Sequence, residues 1–169
     1  MVVGNPRPGS RTLRVALAAA SALDRDTGRP DPLVVDLVDL APELFDPGSA
    51  AVAGRLEAVA ASDLVVVASP TYKGTYTGLL KSFLDRYGTN GLADTVAVGV
   101  MTGAAPVHAL ATEVHLRPLL VELGATVPAR GLYVVEEQFD DLDTVVGAWA
   151  ASARPLVGRA LGAGGPTAG

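Results

Sequence analysis

The chain has 169 residues, of which 49% are apolar and 18% charged, with a net charge of −5 and no cysteine. That length suits one domain with a substantial core, and the apolar content excludes a disordered chain. No basic block is present, which argues against a nucleic-acid binder. The lack of cysteine excludes disulfides, thiolate zinc sites and a thiol nucleophile. No apolar run approaches the ~18 residues needed to cross a bilayer. Met1 leads straight into Val2-Val3-Gly4 with no leader pattern, so a cytoplasmic protein without a membrane anchor is expected.

In chain order, residues 1–4 read as a short strand and 11–23 as an alanine-rich helix, closed by Asp24-Arg25-Asp26-Thr27-Gly28 and Pro30. A second strand is predicted over 33–37. Pro42, Pro47 and Gly48 make 39–49 a loop, and a helix is expected over 52–61, with Val52, Leu56 and Val59 on one face. Leu64-Val65-Val66-Val67-Ala68 is apolar at every position, the mark of a parallel strand covered on both faces. A helix over 77–87 follows, with Leu79, Leu80, Phe83 and Leu84 as its buried stripe, then a fourth strand over 96–101. A single helix is predicted over 106–123, with a kink or irregular turn at Pro118 and closed by Gly124. A fifth strand falls within 126–135, and a last helix over 141–161 is expected to bend or restart at Pro155.

Five strands alternating with helices predict an α/β domain: a parallel sheet in the order 2-1-3-4-5 with helices on both faces and a crevice at the ends of strands one and three. It is expected to span residues 1–161, followed by a flexible tail over 162–169.

Three turns at strand ends carry the chemistry. Gly4-Asn5-Pro6-Arg7-Pro8-Gly9-Ser10-Arg11-Thr12 opens a helix, whose N-terminal amides and dipole favour a phosphate; Ser10 and Thr12 add hydroxyls, and Arg7 or Arg11 adds charge. Its Gly-x-x-x-x-Gly spacing imitates a nucleotide-triphosphate P-loop, but Ser10 follows Gly9 where that loop needs Lys-Ser/Thr, which rejects an ATPase. In Ser69-Pro70-Thr71-Tyr72-Lys73-Gly74-Thr75-Tyr76, the tyrosines can border an aromatic ring while Gly74 lets the backbone come close. Thr102-Gly103-Ala104-Ala105 offers small side chains against which a flat ring can lie. Together the three turns predict a site for flavin mononucleotide (FMN).

The same residues match a family. Asn5-Pro6-Arg7 with Ser10-Arg11-Thr12, the run from Ser69 through Tyr76 to Thr77-Gly78-Leu79-Leu80-Lys81, and the stretch ending in Leu116-Arg117-Pro118 resemble the NAD(P)H-dependent FMN reductases of the flavodoxin-like superfamily. Within it the chain is most similar to reductases that supply reduced FMN to two-component monooxygenases. The resemblance implies a flavodoxin-like three-layer sandwich, FMN as cofactor, and NADPH or NADH as reductant. It also implies a monooxygenase partner, a homodimer or homotetramer, and no catalytic side chain, since the flavin carries the chemistry. It places the FMN phosphate at Arg7, Ser10 and Thr12, with Asn5 where the family often has serine. Pro70, Thr71, Tyr72 and Lys73 would line the ribityl chain and ring edge; Thr102, Gly103 and Ala104 would meet the pyrimidine side. Residues 107–117 run one residue longer than in flavin-retaining members, as in reductases that release flavin, with Val114 or His115 as the insertion, which a π-bulge can absorb.

Other classes fit less well. His108 and His115 have no assignable Ser/Asp partners, so a hydrolase triad is unsupported. Glu136, Glu137, Asp140, Asp141 and Asp143 read as a solvated turn and helix start and not as a metal site. A receiver domain would need a phosphorylatable aspartate at a strand end, where Gly4-Asn5 and Ser69-Pro70 stand. An FMN-dependent quinone or azo-dye reductase stays open as an alternative, as does a flavodoxin-type electron carrier, although −5 is moderate for a carrier's docking surface.

Overall fold

The structure, a computed structural model, describes residues 1–24 and 32–163. Five strands form, β1 (Val2–Val3), β2 (Val35–Asp36), β3 (Leu64–Pro70), β4 (Val96–Gly103) and β5 (Leu132–Val135), together with helices α1 (Arg11–Asp24), α2 (Ala50–Ala60), α3 (Gly78–Leu84), α4 (Arg117–Glu122) and α5 (Leu142–Ala163). All strand pairs are parallel, in the order β2-β1-β3-β4-β5, as predicted.

The alternation of side chains along β3 explains the three layers. Val66 and Ala68 face one core, built with Val15, Ala16 and Ala19 of α1 and Val146, Ala150 and Ala153 of α5. Val65 and Val67 face the other, with Val52 and Val59 of α2, Leu80, Phe83 and Leu84 of α3, and Leu120 of α4. A strand buried on both faces is apolar wherever no hydrogen-bond partner is at hand, which is why 64–68 reads so plainly. Side-chain caps start α2 and α3: Ser49 Oγ accepts from Val52 N–H, and Thr77 Oγ1 accepts from Leu80 N–H.

β2 is shorter than predicted, because Leu33 and Val34 lie partly exposed ahead of the edge strand. At its end, Asp36 is half-buried with Oδ1 unpartnered, and burial pushes its carboxyl above the usual range, against the opposing pull of the Val38 amide.

The single helix expected over 106–123 is instead three pieces: a 3₁₀ turn at Pro106–His108, a π-helix at Thr112–Leu116, and α4. Pro118 follows closely on an irregular turn, the π-helix. It falls in the first turn of α4, where its missing N–H costs nothing, and the Arg117 amide reaches back five residues to the Thr112 carbonyl. The π turn contains Val114 and His115, the positions expected to absorb an insertion. Pro155 does not restart α5, which runs unbroken to Ala163; at that level both Nε and Nη2 of Arg154 donate to the Ala22 carbonyl. The expected tail is therefore helical at its first two positions. The rest of it, and the stretch after Asp24 expected to close α1, lie outside the described residues.

Candidate active site

Parallel pairing brings the three predicted turns to one sheet edge. Gly4 N–H donates to the Ala68 carbonyl at 2.8 Å, Pro70 pairs in register with Thr102, and Gly103 with Val135. The chain thus leaves β1, β3, β4 and β5 side by side, at the switch point where such sheets hold ligands.

The first turn is pinned internally. Asn5 Oδ1 accepts from Arg7 N–H at 3.0 Å, and Asn5 Nδ2 donates to Thr12 Oγ1 at 3.0 Å. Ser10 is the helix cap, its hydroxyl accepting from Leu13 N–H at 3.1 Å. The first intrahelical bond is Arg14 N–H to Ser10 O, so the Arg11 and Thr12 amides have no intrahelical acceptor. Gly4 is required for a packing reason: a Cβ there would sit 2.5 Å from Leu80 Cβ, where α3 crosses the end of β1. Thr77 closes that junction by donating its hydroxyl to Gly4 O at 2.6 Å and its N–H to Ser69 Oγ at 3.0 Å.

In the second turn, Thr71 N–H donates to Thr102 O at 2.6 Å, which ties this turn to the third. Thr71 Oγ1 is buried and has no hydrogen-bond partner among the described residues. Tyr72 and Thr75 then close a two-residue turn through Lys73 and Gly74, at φ 53° and 84°. Both central residues at positive φ correspond to a type I′ turn, in which glycine is favoured and lysine is not. In the third turn, a Cβ on Gly103 would overlap the Tyr133 hydroxyl, which donates to Ala105 O at 3.2 Å.

A cleft of about 280 Å³ opens between these turns. It is lined by Asn5, Arg7, Ser10 and Thr12, by Pro70, Thr71 and Tyr72, and by Thr102, Gly103 and Ala104, which is every predicted site residue except Lys73. Lys73 sits at the tip of the type I′ turn, outside the lining. Tyr76 also stays out, packed against the core. Arg11 completes the wall together with two residues that the sequence reading did not assign to the site, Glu136 and Phe139. Glu136 is solvent-exposed, as expected, and its carboxylate also pairs with the Arg11 guanidinium, which lies 5.4 Å from the centre of the Phe139 ring. The available signal was the register, since the chain after Val135 must emerge beside the chain after Gly103.

A family model for NADPH-dependent FMN reductases matches residues 1–140. The chain belongs to the NADPH-dependent FMN reductase family. Among curated relatives, an FMN reductase (NADPH) of Pseudomonas aeruginosa is 35% identical over 82% of this chain and 76% of its own length. NADH-dependent FMN reductase SfnE of Pseudomonas putida is 32% identical over 94% and 87%. Among solved structures, the apo form of an NADH:FMN oxidoreductase, EMOB, superposes with a TM-score of 0.74 at 29% identity, covering 90% of this chain and 87% of that one. All residues that line the cleft, through Phe139, lie within the matched residues.

Proposed function

We propose that the protein is an NAD(P)H-dependent FMN reductase whose cleft takes FMN with its phosphate at the first turn and its ring between Tyr72 and Gly103. The observation that carries this is the convergence of the three turns on one cleft, whose lining joins Asn5, Arg7, Ser10 and Thr12 to Thr71, Tyr72 and Gly103. The Arg11 and Thr12 amides, the Ser10 hydroxyl and the Arg7 side chain suit a phosphate dianion. Bound there, FMN supplies hydride acceptance at its N5 from a nicotinamide, chemistry that no side chain of this protein provides. The protein's part is to hold the turns rigid, leave the ring face open beside Tyr72, and orient the two rings.

Relatives of both nicotinamide preferences match, so either NADPH or NADH serves as reductant in this proposal. Delivery of reduced FMN to a partner monooxygenase is supported by the π-helix at Thr112–Leu116, at the positions where the resemblance implies the insertion of flavin-releasing reductases. A homodimer or homotetramer is supported by the exposed apolar side chains of Val107, Leu110, Val114 and Val121 along the same segment. No helix among the described residues is long and apolar enough to cross a membrane.

The test is a fluorescence titration of FMN into the protein and its Arg7→Ala variant. Removal of one charge-assisted phosphate contact is expected to weaken FMN about 10- to 100-fold with an unchanged melting temperature. Equal FMN affinity in the two proteins would take Arg7 out of the phosphate site.

A further inference from the structure

The Arg11–Glu136 pair is not needed to build the fold. Both side chains are more than half exposed, and they join the start of α1 to the end of β5 across the mouth of the cleft. Three facts set their position. Arg11 is the first residue of the helix whose amides face the cleft; Glu136 follows directly on β5; and Phe139, buried beneath the guanidinium, is fixed in turn by Arg14 Nη2, which donates to its carbonyl at 3.2 Å. Arg11 is thereby seated where it can meet an anion at the helix start, and an anion from the protein's own chain already holds it.

We propose that Glu136 is a built-in competitor for Arg11 that lowers the affinity of the cleft for the phosphate end of its flavin. This rests on the reading of the cleft as an FMN site. Two effects act in the same direction. A phosphate monoester carries about −1.5 to −2 charges near neutral pH, so its contact with Arg11 must displace or share the Glu136 carboxylate. The carboxylate also lines the same cleft, and physiological salt screens charge only over ~8 Å, so it repels a phosphate bound there whatever Arg11 does. Glu136 thus acts through Arg11 and through its own field, as a positioning residue. The consequence is a flavin held loosely enough to leave, the behaviour of a substrate and not of a resident group. Riboflavin lacks the phosphate and does not sense the pair.

The experiment compares dissociation constants for FMN and riboflavin in the full chain, Glu136→Gln and Glu137→Gln. Glu137→Gln removes an equal charge one residue further on, outside the cleft lining. Exposed charge pairs are worth at most a few-fold, so Glu136→Gln is expected to tighten FMN about three- to fivefold. Riboflavin affinity and melting temperature should stay as they are, Glu137→Gln should do little, and the gain should shrink in ~1 M salt, where screening is within ~3 Å. FMN affinity unchanged or weakened in Glu136→Gln overturns the proposal, as does an equal shift for both flavins, which would mark a structural role. A wild-type protein that binds FMN no tighter than riboflavin overturns the phosphate site itself, and the competitor with it.

Discussion

Thr12 and Thr102 stand 90 positions apart in sequence, yet their hydroxyls share a 2.9 Å hydrogen bond on the floor of the cleft. Both residues are buried, and Asn5 Nδ2 also donates to Thr12. One relay therefore runs from the Arg7 amide through Asn5 and Thr12 to Thr102, and locks the first turn to the third. Thr102→Val keeps the shape of the side chain and leaves the relay open at its end. A loss of about 1–3 kcal/mol is expected in urea unfolding, together with weaker FMN binding. An unchanged unfolding midpoint would show that the relay holds nothing together.

Gly103 owes its identity to Tyr133. Because a Cβ there overlaps the Tyr133 hydroxyl, Gly103→Ala must push that ring off its bond to Ala105 O, at a cost of about 1–3 kcal/mol. Removing the hydroxyl in the double variant with Tyr133→Phe is expected to recover part of the loss. Additive effects of the two changes in a double-mutant cycle would deny the coupling.

Asp36 gives a pH-dependent prediction. Burial raises its folded pKa above the unfolded value of 3.8, so between the two the folded state binds more protons. The stability this group contributes is full below 3.8 and is lost as pH rises through the folded pKa. Asp36→Asn is therefore expected to raise the melting temperature at pH 7 by about 1–3 °C, a small gain because solvent screens a half-buried group. The difference should close as pH falls toward 4 in parallel melts. A gap that does not depend on pH would assign the effect to something other than ionisation.

The sheet was legible because its central strands are buried on both faces, and residues such as Val65 to Ala68 leave no other reading. The turns were legible because glycine, proline and hydroxyl residues cluster where apolar runs stop. The segment 106–123 was not. Helical periodicity does not separate α from π winding over a single turn, and what fixes the π turn is non-local. Glu113 accepts from Gly131 N–H at 2.7 Å, Arg117 Nη2 donates to Ala129 O at 2.7 Å, and Gly99 leaves room for Thr112 and Leu116 against β4. Lys73 was placed in the site by its neighbours in sequence, but the type I′ turn carries it to the tip. Glu136 and Phe139 escaped for the opposite reason: only pairing between β4 and β5 brings them to the cleft.

The claim that this chain reduces FMN is tested most directly by following NADPH and NADH oxidation by the purified protein as free FMN is raised. Turnover that increases with free FMN and saturates is the expected result. No flavin binding, or oxidation that proceeds only when a quinone or azo dye is supplied and ignores added FMN, would contradict it.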